Sequence, residues 1–353
     1  MFTEEKKNSQ ISQDSDNVYK PADEIETSNF IKEIYKKNLP TEIVGTNTKN
    51  FIGNKLQCAK VLDLSRLSGI VEYLPEELYI KVKACTPISL IEEFLEKNNQ
   101  QLAFEPIDFG YLNDSKSNKG TAAGQLSCNF SGSRRFKVGS LRDHILGFRG
   151  VNGKGDIIKS GGTVVKNVTG YDLSKLVTGS FGTLTALTEI TFKVLPKKNS
   201  ISTLVIYSED NKVISDLFDQ LLSSSNEISG AVYIPVEPNN KNYTKNIEKI
   251  FKFNNLKSEE PFVAVRIEGS KKSIDERIQD ISQELQTNKM KTSILDFYQS
   301  KLFWEKVNNL ELFSGTKNNL LRAVIPTATS LDLMNYLKNN FKYYIDWCGS
   351  LFL

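Results

Sequence analysis

The chain has 353 residues, 39% of them hydrophobic and 25% charged, and a net charge of +3. That length and make-up fit a globular protein of about two domains. So small a net charge gives no electrostatic footprint for nucleic acid, which needs clustered Lys/Arg on one face, and no run of about 18 apolar residues encodes a membrane-crossing helix. Met1–Lys7 lacks the apolar core of a secretory signal, so a cytoplasmic location is expected. Cys58, Cys85, Cys128 and Cys348 are far apart and form no metal or iron–sulfur spacing, so they read as free thiols. His144, the sole histidine, is the one candidate imidazole for proton transfer.

Residues 1–26 are polar and aperiodic, which predicts a disordered tail. Phe30, Ile31, Ile34 and Tyr35 then recur at helical spacing, predicting a helix over 27–38 with Thr27 or Ser28 as its cap. Strands are expected at 42–44, 61–64, 69–73 and 79–84, followed by a helix over 88–98 with Pro87 in its first turn. The stretch 105–140 is rich in Gly, Ser and Asn and too long for an ordinary connection, so it reads as functional. Strands at 145–151, 156–160 and 186–195 and a helix near 172–177 complete the first half, and 196–200 marks a boundary. The remainder alternates strands (201–207, 230–235, 261–268, 320–325, 343–347) with helices (210–224, 271–286, 297–309, 329–339) around a polar insertion at 237–260. This pattern predicts an α+β layer of split β-α-β character, ferredoxin-like in type.

Three segments carry candidate chemistry. In the first, strand 42–44 feeds Gly45, Thr46, Asn47, Thr48 and Lys49, a turn whose N–H groups can form an anion nest; a plain surface turn fits the spacing as well. In the second, Gly120, Thr121, Ala122, Ala123 and Gly124 lead through Ser127 to Gly132, Arg134 and Arg135. Small residues there permit close backbone approach, and a helix starting at this point would offer free N–H groups to a pyrophosphate; a flexible loop and solvated arginines are the alternatives. In the third, Lys166 and Tyr171 precede Gly179, Gly182, Thr183 and Leu187. Tyr171 is either ligand-facing or a half-buried aromatic.

Taken together and in this order, these segments resemble the vanillyl-alcohol-oxidase, or PCMH-type, FAD-binding superfamily. Ser180 to Glu189 is similar to its G-S-x-G-T-L-G-x-x-T-E segment, with Thr185 in place of the last glycine. Within the superfamily the chain resembles the FAD-binding E-subunit family of bacterial glycolate oxidases. The resemblance rests on Gly45–Gly53, on Gly69 to Leu78, on Glu105–Pro106, on Ser131–Arg135 and on Val138–Asp143. It continues through Val165–Leu173 and the Ile345–Gly349 run, which is similar to that family's D-W-G-G. Ala123–Gly124 stands where two glycines are usual, and Ser133 where proline is usual.

The resemblance implies a two-subdomain PCMH-type FAD-binding domain over 27–196 and a ferredoxin-like cap over 197–353. Relatives continue past the D-W-G-G strand, so the cap is expected to be C-terminally incomplete. It implies non-covalent FAD, with Gly45–Lys49, Pro106, Thr121, Ala123, Gly124, Ser127, Gly132, Gly179, Gly182, Thr183 and Leu187 at the cofactor. It implies a small 2-hydroxy acid substrate such as glycolate, for which Arg134, Arg135, Lys166 and Tyr171 are the catalytic candidates. The implied partners are a second flavin subunit and an iron–sulfur subunit, through which peripheral contact with the inner membrane stays open. A non-catalytic flavin-fold scaffold or electron relay, and a stand-alone D-lactate-type dehydrogenase, remain as alternatives. No metal is expected.

Overall fold

The computed structural model describes residues 17–54, 56–113, 119–163, 170–236, 247–285, 290–315, 319–338 and 341–353. Three of its strands, β1 (Val18–Tyr19), β2 (Thr41–Val44) and β3 (Lys60–Asp63), form a small parallel sheet in the order β1-β3-β2. Helix α1 (Glu24–Lys36) begins three residues before the expected start. Asp23 is the cap, accepting the Glu26 N–H, whereas the Thr27 hydroxyl donates back to the Asp23 carbonyl. The expected tail through residue 26 is therefore corrected at its end: residues 18–19 are strand and helix begins at Glu24.

A second, five-stranded sheet contains β4 (Ile70–Leu74), β5 (Tyr79–Lys83), β7 (Ile145–Asn152), β8 (Ile157–Gly161) and β9 (Thr185–Lys193). All its pairs are antiparallel, in the order β4-β5-β9-β7-β8. Helices α2 (Ile88–Glu96) and α3 (Ala122–Cys128) cover it, packing Ile88, Ile91, Leu95 and Leu126 on Ile80, Val82, Ile190 and Phe192. The stretch 105–140 is not bare loop, because it holds α3, a 3-10 turn at Gly110–Asn113 and the short helix α4 (Arg135–Val138). Helices α5 (Leu141–His144) and α6 (Leu173–Val177) follow, and β6 (Gln100–Gln101) pairs with β10 (Leu195–Pro196).

The second half begins with β11 (Ser200–Tyr207), α7 (Asn211–Ser223), β12 (Gly230–Ile234), β13 (Phe262–Gly269), the helix Lys271–Glu284 and β14 (Thr292–Leu295). The strand order β14-β11-β13-β12 is antiparallel throughout, with β-α-β-β-α-β connectivity. Beyond β12 the sheet continues through β16 (Ile345–Asp346), β17 (Leu351–Phe352) and β15 (Ala323–Val324). Both faces are buried, so alternate residues of one strand serve two cores. Phe262 and Ala264 face a cluster under the helix Phe297–Asn308; Val263, Val265 and Ile267 face α7 and the helices Lys271–Glu284 and Ser330–Leu337. Ile247, Phe251 and Leu256, in the expected polar insertion, are buried in the first of these clusters. Ile107 and Phe109 of the first half insert into that same cluster beside Val205 and Trp304. One apolar core therefore joins the two halves.

Candidate functional site: a nest of free N–H groups facing a glycine turn

The loop after β2 carries an anion-binding character that its bonding partners make explicit. Asn47 is left-handed (φ 54°), the backbone alternation that turns successive N–H groups one way. Among the described residues no acceptor meets the N–H groups of Thr46, Asn47, Thr48 or Lys49. The Lys49 ammonium makes two long contacts of 3.4 Å, to Thr48 Oγ1 and the Lys119 carbonyl, and lies 5.8 Å from the Phe109 ring centroid. No described carboxylate pairs with it. Burial pushes its pKa down, and the charge of Asp108 works the other way without cancelling it.

The small-residue segment meets this loop. A Cβ on Gly120, whose φ is 75°, would stand 2.6 Å from Thr48 Oγ1 and 2.8 Å from Lys49 Nζ. One on Gly45 would meet Cys85 Sγ at 3.0 Å and Thr121 Oγ1 at 3.4 Å. One on Gly124 would meet Thr121 Oγ1 at 3.2 Å and lie 3.8 Å from Lys49 Nζ. Buried Cys85, its thiol pKa pushed up to about 12 by burial, is a packing residue.

The expected free N–H groups at the start of α3 are not free. Ala122 N–H donates to the Thr86 carbonyl, Ala123 N–H to the Ala84 carbonyl and Gly124 N–H to the Thr121 hydroxyl. The donor role falls to 46–49, and 120–124 contributes close approach. These residues fit the diphosphate of a dinucleotide: unmet donors, an unpaired ammonium and glycine where no side chain has room.

The remaining expected site residues divide. Gly179 donates its N–H to the Leu126 carbonyl and abuts Asn129, and the Ser127 carbonyl accepts the Phe181 N–H, so both sit at the far end of α3. Gly182 and Thr183 line a separate cleft of about 400 Å³ with Ile34, Thr41 and Ala186. That cleft lies toward the start of β2, away from the 45–49 loop. Leu187 is 4% exposed and points into the core. Tyr171 is 94% exposed, neither half-buried nor facing a described site residue. Lys166 lies outside the described residues. His144 is a buried core imidazole: Nε2 bonds the Val138 carbonyl, and burial first of all lowers its pKa.

Arg134 has a different task from the one expected. Its Nε and Nη2 donate to the two oxygens of Glu268 (3.0 and 2.6 Å), and Nη1 lies 3.1 Å from Glu105. Glu105 also takes Arg266, at 2.7 and 3.2 Å. Burial alone would raise both carboxyls. The arginines override it, holding Glu105 low and Glu268 down to about 2. With its fork filled by Glu268, Arg134 fastens the first half to β13. Glu105, Arg134 and Arg266 border a second cavity of about 310 Å³ lined also by Pro106, Gln101, Trp304 and Asn308. Gly132, packed against Glu105 and Asn308, has no room for a Cβ.

Beside this cavity Asp346 is fully buried. Ser133 Oγ donates to it at 2.6 Å and the Trp347 N–H at 2.6 Å, yet burial pushes its pKa up to about 6. Arg135 stacks on Trp347, 4.0 Å from the ring centroid. Arg266 and Arg322, unremarked in the sequence, also stand at this junction; only the isolated basic character of Arg322 in Leu320–Leu321–Arg322–Ala323 could have signalled it.

Residues 15–161 match the sequence profile of a family described as an FAD binding domain. The glycolate oxidase subunit GlcE of Escherichia coli (strain K12) is 40% identical over 167 residues, 47% of this chain and 45% of that protein. A D-lactate dehydrogenase of Anaerostipes hadrus is 31% identical over 150 residues, 42% of this chain and 30% of that protein. The glycolate oxidase subunit GlcD of Bacillus subtilis (strain 168) is 41% identical over 90 residues, 26% of this chain and 19% of that protein. The matches thus span less than half the length of these relatives. Among solved structures, p-cresol methylhydroxylase superposes with a TM-score of 0.69 at 14% identity, covering 95% of this chain and 73% of that one. An alkyldihydroxyacetonephosphate synthase does so with 0.67 at 16%, covering 95% and 69%. The fold is that of the PCMH-type FAD-binding proteins. Among the described residues no helix is long and apolar enough to cross a membrane and no acidic, His or Cys cluster could hold a metal.

Proposed function

We propose that this chain, whose residues 15–161 belong to the FAD binding domain family, is the FAD-holding subunit of an oxidoreductase that converts glycolate or a similar 2-hydroxy acid to the 2-oxo acid. The observation that carries the reading is the loop 46–49, with its unmet N–H donors and a half-buried Lys49 that makes no ion pair among the described residues and faces Gly120. The names of relatives, two glycolate oxidase subunits and a D-lactate dehydrogenase, supply the substrate class. When bound, FAD supplies the two-electron acceptor for the hydrogen leaving the carbinol carbon. The chain's own part is to hold the diphosphate with Thr46–Lys49, to keep backbone close at Gly120 and Gly124, and to lock the second half over the first through Glu105, Arg134, Arg266 and Glu268.

A second reading has its own support. The only imidazole is buried in the core, so the described residues offer no histidine base at either cavity. In that reading the chain is a flavin-holding relay beside a catalytic second flavin subunit, and an iron–sulfur subunit carries electrons onward. The test is glycolate-dependent dye reduction by the FAD-loaded protein, alone and with both partner subunits. Little reduction alone and recovery with partners is the expected result. Vigorous turnover by the isolated chain would refute the complex and favour a free-standing dehydrogenase. No turnover under either condition would refute glycolate as substrate.

A further inference from the structure

We propose that Phe109 is a positioning residue for the cofactor: its ring, anchored in the core of the second half, holds the Lys49 ammonium at the FAD diphosphate, so that the second half sets how tightly the first binds FAD. The inference rests on the placement of the diphosphate at Thr46–Lys49 proposed above, and adds to it a residue and a coupling.

The case begins with what surrounds Lys49. The ammonium lies over the Phe109 ring, 5.8 Å from its centroid, and makes contacts of 3.4 Å to Thr48 Oγ1 and to the Lys119 carbonyl. The charge of fully buried Asp108 favours its protonated form. Of these neighbours only Thr48 belongs to the 45–49 loop. The others stand on the segment 107–119, so that segment decides where the ammonium sits. The negative face of an aromatic ring attracts a cation within about 6 Å, and more strongly where water is scarce. The N–H groups of the loop are aimed by left-handed Asn47. A flexible four-carbon stem has no such guide of its own.

The segment is itself held from two sides. On the side of the first half, the buried Gln125 amide donates to the Ile107 carbonyl at 2.9 Å and to the Lys119 carbonyl at 2.6 Å, closing both ends of the segment on one side chain. On the side of the second half, Asn309 Oδ1 accepts the Asp108 N–H at 3.2 Å, and Asp108 in turn accepts the Gly110 N–H at 2.8 Å. Phe109 is buried in one cluster with Val205, Trp304, Leu312 and Phe313. The Gly110–Asn113 turn packs on the turn Glu311–Phe313. The same Phe109 ring meets Phe51, two residues past Lys49, at 5.8 Å. One ring therefore belongs to the core of the second half and to the surroundings of the flavin loop at once. Among the described residues no hydrogen bond joins Asn309 to the loop 45–49. A shift of the second half thus moves Asp108 and Phe109 together, and Lys49 loses its seat. Linkage makes this reciprocal: FAD that favours the seated ammonium also favours the docked second half.

The test is flavin titration of the full chain with Phe109→Leu, Asn309→Ala and Lys49→Met, singly and combined, each read well below its melting temperature. Leucine keeps an apolar side chain in the core and removes the π face. With Lys49 present, Phe109→Leu and Asn309→Ala should each weaken FAD by about three- to tenfold. Combined with Lys49→Met, each should change it by less than about twofold, because the cycle separates coupling from a general loss of packing. Asn309→Ala, which leaves the ring in place, carries the test where Phe109→Leu unfolds too readily to titrate. Hydrogen exchange gives a second readout: FAD should slow amide exchange over 303–313, and Phe109→Leu should abolish that slowing. Equal losses with and without Lys49, no loss at all, or protection of 303–313 that survives Phe109→Leu would overturn the coupling and leave the diphosphate site standing. Unchanged FAD affinity in Lys49→Met would overturn the site and the coupling together.

Discussion

Single side chains set the chemistry here, and two of them make sharp predictions. Lys49 is half-buried and makes no ion pair among the described residues, so Lys49→Met should cost the FAD complex one charge-assisted bond, about 1.5–3 kcal/mol or roughly ten- to a hundredfold in Kd. The FAD-free protein should be as stable as wild type or more so, because a desolvated charge has gone. Flavin titration and thermal melts read both. Asp346 gives a pH prediction. Its folded pKa of about 6 lies above the ordinary 3.8, so the folded state holds the proton longer than the unfolded one. Stability contributed by this group is therefore present at low pH and lost as pH rises from about 4 to about 6. Against Asp346→Asn, which cannot ionise, wild type should lose up to ~3 kcal/mol between pH 4 and 7, seen as a falling difference in urea midpoints. At this scale the sequence was legible where backbone chemistry was local: Gly45–Lys49 and Gly120–Gly124 do meet. It was not legible for Arg134, whose fate depends on Glu268, 134 residues away. Nor was it for Tyr171 and Leu187, where family position says nothing of which way a side chain points.

Elements were read well where one face is apolar and the period is clean, as in α2 and β11, and less well at ends. The start of α1 was missed because Thr27 and Asp23 are both good caps, and only the closing geometry shows that Asp23 takes the Glu26 N–H. The strand expected over 343–347 is instead two residue pairs, Ile345–Asp346 and Leu351–Phe352, folded back around the left-handed Trp347–Gly349 turn. β14 went unseen because an edge strand of four residues with a half-exposed face has little period to display. The junction of the 45–49 loop with the turn before α3 is the element contact most open to attack. Gly120→Ala adds a methyl at a left-handed residue, 2.6 Å from the Thr48 hydroxyl and 2.8 Å from the Lys49 ammonium. Flavin occupancy should fall steeply while the far-ultraviolet spectrum is kept. Full occupancy in that variant would separate the turn from the cofactor.

Across the whole molecule the two halves are bound by an apolar core and by the quartet Glu105, Arg134, Arg266 and Glu268. Arg266 is 1% exposed, so Glu105→Ala leaves a buried cation short of its main acid and should cost about 3–5 kcal/mol. Calorimetry should then show two separated transitions where a single one is expected of wild type; an unsplit transition at the wild-type temperature would deny the quartet its fastening role. None of this joint was legible beforehand, since 196–200 reads in sequence only as a boundary, which says nothing of the contacts made across it. Yet Ile107 and Phe109 are packed by Val205, Val232 and Phe262, residues made long after them. Ribosomes add about 5–20 residues per second, so on the order of ten seconds or more separates the appearance of Phe109 from that of its last covering strand. Throughout that interval the nascent flavin half presents a bare apolar face. An expression clone ending near residue 196 would keep that face bare for good, and should aggregate where the full chain does not.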